Sequence, residues 1–70
     1  RRSRSRLAPQ TAVRAYRLER GITLAEVALQ SGVTSFRLSI IERNPERAKP
    51  GEIEAHRRAV DELAAVRVAA

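Results

Sequence analysis

The chain has 70 residues, 43% of them hydrophobic and 31% charged, with 14 Lys and Arg against 8 Asp and Glu for a net charge of +6, no Cys and a single His. That length predicts one domain with a thin core, because so short a chain buries only about 60% of the surface its extended form exposes. The lack of Cys excludes disulfide staples, thiol chemistry and Cys-ligated zinc, His56 alone cannot assemble a metal cluster, and two aromatic residues cannot make a series of base-stacking platforms.

The positive charge is concentrated at one end. Residues 1–20 carry seven Arg against Glu19, whereas residues 21–44 and 45–70 each balance. A polyanion such as DNA is the natural partner of that first segment, although an anionic membrane or an acidic protein would also be attracted. No stretch nears the length of a membrane-spanning helix, and the arginine-rich start lacks the apolar run of a secretory signal, so a cytoplasmic location is expected.

Residues 1–8 open with RRSRSR, which has no apolar periodicity and repels itself, and read as a flexible basic arm. Arg1, Arg2, Arg4 and Arg6 are candidates for phosphate or minor-groove contact, against the plainer reading of a solubilising or flanking segment. The folded domain is expected over 9–67, with 68–70 as a tail. Pro9 suits the first turn of a helix, and a first helix is predicted over 10–20, with Val13 and Tyr16 inward and Gly21 as its stop. Arg14 and Arg20 read equally well as solvated charges or phosphate clamps.

Thr23 and Glu26 have the spacing of a capping box, and Ile22 and Val27 that of a hydrophobic staple, so a second helix over 23–30 buries Leu24, Val27 and Ala28. Ser31 and Gly32 interrupt it, Val33 serves as a plug, and Thr34 caps a third helix over 35–43. There Leu38 and Ile41 recur at helical spacing, while Ser35, Arg37 and Ser39 offer a small polar face. Phe36 fits either the core or an apolar contact to a thymine methyl group. The run NPERAKPGE, 44–52, reads as a loop. A fourth helix follows from 51 or 52 to 66, its inward stripe being Ile53, the stem of Arg57, Val60, Leu63 and Ala64. His56 is read as a surface or satisfied interfacial residue.

Two capped helices joined across Gly32 meet the steric needs of a helix-turn-helix, with small Ala28 where the axes cross. The segment 17–43, RLERGITLAEVALQSGVTSFRLSIIER, resembles the Cro and phage-repressor type of helix-turn-helix, the XRE family, and the resemblance extends over roughly 13–63. It implies a lambda-repressor-like all-α bundle of four or five helices whose helix 35–43 enters the major groove of double-stranded DNA. Ser35, Phe36, Arg37 and Ser39 would then touch base edges. Apart from the resemblance, Thr23, Thr34 and Arg43 are further candidate DNA contacts, the amide end of the second helix and the arginines holding phosphates. The resemblance also implies a structural pair between Arg17 and Glu42. Leu24 stands where the family often has a phosphate-binding Gln, Asn44 where it often has Gly, with Asn expected to keep the left-handed C-cap, and the loop after Arg43 is about two residues longer.

The function expected is a sequence-specific transcriptional regulator of a bacterium, phage or mobile element, acting as a homodimer through Leu63, Val66 and Val68 of the last helix. The alternative is a protein-interaction module, antitoxin-like or anti-activator, that docks a regulatory protein partner on the same scaffold; a structural RNA-binding protein is less favoured for want of aromatic platforms. Glu42, Glu52, Glu54, Asp61 and Glu62 fall mostly on solvated helix positions, so neither an enzyme nor a cofactor is expected.

Overall fold

The computed structural model describes residues 11–69. The expected arm, with Arg1, Arg2, Arg4 and Arg6, lies outside the described residues, as do Pro9, Gln10 and Ala70. The described residues form a compact bundle of four α-helices, α1 (Ala12–Glu19), α2 (Leu24–Ser31), α3 (Ser35–Arg43) and α4 (Glu52–Ala69), with one 3-10 turn at Pro45–Arg47 and no strand among them.

Local chemistry sets most of the boundaries. Helix α1 begins two residues later than 10–20 suggests, because the Thr11 hydroxyl takes the N-cap and accepts from the Arg14 amide. The Thr23–Glu26 capping box closes at α2, with both reciprocal hydrogen bonds formed, and the flanking staple residues Ile22 and Val27 are both buried. Gly32 ends α2 at φ 79°, in the left-handed region that costs an L side chain about 1–2 kcal/mol.

The end of α3 departs from expectation. Asn44 does not take the left-handed conformation but sits at φ −136°, and the chain passes straight into the 3-10 turn, where the Arg47 amide donates to the Asn44 carbonyl. Helix α4 runs three residues past 66, since Arg67, Val68 and Ala69 contain no breaker. The Arg67 guanidinium donates to the Gly21 carbonyl at 2.7 Å and pairs with Glu26, tying the end of α4 to the start of α2.

The core is Ile22, Val27, Leu38, Ile41, Ala59 and Val60, with Tyr16, Leu24, Ala28, Val33, Ala48, Leu63 and Ala64 packed around it. Helix α2 packs most extensively on α4. One residue of the expected inward stripe is reassigned, and one expected dimer residue belongs to the core. Arg57 is exposed, its guanidinium 4.8 Å from the Tyr16 ring centre, and the buried place on that side of α4 belongs to His56. Leu63 packs on the chain's own core and so is not a free dimer surface.

Beside this apolar centre lies a buried polar one. Arg17 donates to Glu42 through Nε (2.7 Å to Oε2) and a terminal nitrogen (2.9 Å to Oε1), and through its other terminal nitrogen to the Ile22 carbonyl at 2.9 Å. His56 Nε2 lies 2.8 Å from Glu42 Oε2. An ionised carboxylate only accepts, so Nε2 carries the proton and donates. The Thr11 hydroxyl donates to the Glu42 carbonyl, so one residue of α3 ties together α1, α4 and the first described residue.

Candidate nucleic-acid interface

Helix α3 turns two unlike sides to its surroundings. Leu38, Ile41 and Glu42, spaced three and four residues apart, face the interior and are buried. Phe36, Ile40 and Arg43 recur at four and three residues on the other side, flanked by Ser35 and Ser39. Of these, Ser35, Phe36 and Arg43 are exposed and Ser39 and Ile40 half-buried; Phe36 leaves 78% of its surface in solvent. Phe36 therefore does not belong to the core. The only acid in α3, Glu42, is buried on Arg17, so the outward side carries no negative charge.

Thr34 is exposed at the start of α3 and accepts from the Arg37 amide, and Thr23 is likewise exposed at the start of α2. These two caps leave the first free amides of both helices at the surface. At α2, however, Glu26 accepts from the Thr23 amide at 2.8 Å. That hydrogen bond first, and the one from Arg67 next, lower its carboxyl below the ordinary value of 4.5. An acid thus stands at the amide end of α2, partly offset by Arg67.

Arg37 is placed otherwise than a free base reader requires. Its Nε and one terminal nitrogen donate to the two oxygens of Glu52 at 2.9 and 2.8 Å, and that terminal nitrogen also reaches the Arg47 carbonyl at 3.0 Å. The planar fork that would meet guanine O6 and N7 is filled by a carboxylate. Glu52 also accepts from the Lys49 amide at 2.7 Å, and the hydrogen bonds from Arg37 first and Lys49 second bring its carboxyl down to about 2. The side chain therefore fastens α3 to the 3-10 turn and the first turn of α4.

The structure gathers Thr34, Ser35, Phe36, Ser39 and Arg43 along one helix, puts Thr23 on the neighbouring one, and turns Arg37 aside. The role of His56 was readable in the spacing, since 53, 56, 60 and 63 share a helical stripe, whereas the Arg37–Glu52 pair joins residues separated by a loop and has no local signature. Arg14 is half-buried, and Arg20 lies 3.5 Å from the Tyr16 ring centre and donates to the Tyr16 carbonyl. A shallow groove between α2 and α4 is lined by Gln30, Ser31, Ala55, Arg58, Ala59 and Glu62. No helix among the described residues is long and apolar enough to cross a membrane. Comparison of the chain with protein-family models, with curated proteins and with solved structures found no match.

Proposed function

We propose that the chain is a sequence-specific DNA-binding regulator of transcription, from a bacterium, phage or mobile element, in which α2 and α3 act as a lambda-repressor-like helix-turn-helix and α3 lies in the major groove. The observation that carries this reading is the outward side of α3: an unburied aromatic ring, two hydroxyls and Arg43, with no acid among them. A helix about 10–12 Å across fits a groove about 12 Å wide. The chain's net charge of +6 favours a polyanion. Thr11, the first described residue, is bonded to the end of α3, so the arginine-rich segment joins the body at that end of the helix.

One such module buries a modest interface, and useful specificity calls for a symmetric dimer on half-sites about one helical turn apart. Val66 and Val68 at the end of α4 are 66% and 87% exposed and supply the candidate contact. A regulatory protein partner is the second reading, favoured by Leu29 of α2, which is 88% exposed and so outside the core.

Selection from a pool of random duplexes tests the proposal. A DNA reader enriches one sequence, often a near palindrome, and Arg43→Ala and Ser39→Ala weaken binding to it more than to bulk duplex. A pool recovered without any common sequence rejects specific recognition. Val66→Asp tested by sedimentation separates the dimer from the monomer independently of DNA.

A further inference from the structure

We infer that α3 recognises its DNA through the C5-methyl groups of pyrimidines, and that Phe36 is the residue that contacts them; this rests on the DNA reading above. The argument begins with what the outward side of α3 lacks. Bidentate recognition of guanine or adenine needs the forked donors of Arg, Asn or Gln. Helix α3 has no Asn, Gln or Lys, and of its two Arg residues one is bound to Glu52 and the Arg47 carbonyl while the other, Arg43, stands in the last turn. The first two turns offer the Phe36 ring, the half-buried Ile40 one turn on, and the hydroxyls of Ser35 and Ser39.

The only apolar feature on the base edges of the major groove is the thymine methyl group, and Phe is among the side chains that meet it by apolar contact. The Phe36 ring is 78% exposed in the free protein, so docking on such a methyl removes apolar surface from water on both partners. The flanking serines are short enough to let the ring reach the groove floor, and either can donate to or accept from whichever base lies beside it. A methyl at C5 of cytosine has the same chemistry and position, so thymine and 5-methylcytosine are two sources of one ligand.

The experiment uses the full chain and the duplex recovered by random selection, with uracil replacing thymine one position at a time. Losing one buried methyl weakens binding about fourfold, and the loss is expected at one or two positions in each half-site. Phe36→Ala should bind the thymine and uracil duplexes equally, while Phe36→Leu, which keeps an apolar side chain, retains a preference for thymine. Restoring the methyl as 5-methylcytosine in a cytosine-substituted site separates the two sources. A melting curve accompanies each variant, and because Phe36 is outside the core it should not move.

If a selected duplex binds as well after every thymine is replaced, the methyl inference is wrong while the DNA reading stands. Equal loss by Phe36→Ala on both duplexes also overturns it, since Phe36 then acts by some other contact. If no sequence is enriched and Phe36→Ala instead abolishes self-association, the α3 side belongs to a second copy of the chain and both readings fall.

Discussion

Glu42 takes three hydrogen bonds on its carboxylate, two from Arg17 and one from His56, in a setting where all three side chains are almost fully buried. Burial alone would raise its carboxyl, but the hydrogen bonds from His56 and Arg17 outweigh that and lower it from 4.5 to about 2. A carboxyl lowered on folding stabilises fully above its unfolded value and loses that contribution as pH falls toward the folded one. The same direction holds for Glu52. Denaturant melts followed by circular dichroism should therefore show stability falling from about pH 4.5 toward 2, and Glu42→Gln should flatten that dependence. The same substitution leaves Arg17 buried without a counter-charge, which costs about 3–5 kcal/mol, much of a small domain's margin of roughly 5 kcal/mol. A Glu42→Gln variant as stable as the parent at neutral pH would remove the triad from any structural role.

The short helices α1, α2 and α3 each start from a Thr whose hydroxyl accepts from an amide three residues on. Helices of eight or nine residues do not persist alone in water, so each relies on its cap and on the apolar side it buries. Replacing Thr34 by Ala should destabilise the fold by about 1 kcal/mol. Its larger consequence would be fraying of the first turn of α3, which carries Ser35 and Phe36. Gly32→Ala isolates backbone strain at the turn between α2 and α3, because a Cβ there would meet nothing within 4 Å while φ stays at 79°. A loss of about 1–2 kcal/mol is expected in thermal melts, and no loss would mean that the turn relaxes to another conformation.

Ten Lys and Arg against eight acids lie within residues 11–69, so most of the excess positive charge belongs to the first ten residues. Within the bundle several cations are already engaged, Arg17 by Glu42, Arg37 by Glu52 and Arg67 by Glu26. On the proposed function, non-specific attraction to DNA would rest heavily on the arginine-rich segment, while α3 would supply discrimination. Deleting residues 1–6 should make the logarithmic salt dependence of duplex binding shallower by about 0.9 for each phosphate that the segment neutralises, with little change in the preference for one sequence over another. An unchanged slope would leave those arginines without a part in binding.

Much of this protein follows from short-range signals. The caps at Thr23 and Thr34, the staple of Ile22 and Val27, the glycine at 32 and the apolar spacing of Leu38 and Ile41 all act within one or two turns, and each can be read along the chain. The resemblance over 17–43 pointed to the Arg17–Glu42 pair, but that Glu42 also receives His56 depends on how α4 lies against α3. Helix limits at 11–12 and 66–69 differ from expectation because a competing cap and the absence of a breaker decide them by small energies. The polar face of α3 was legible by residue type alone. Its composition was not, because whether Arg37 turns outward or to Glu52 depends on a carboxylate that only folding brings beside it, and that pairing leaves Phe36 as the exposed large side chain of the first turn of α3.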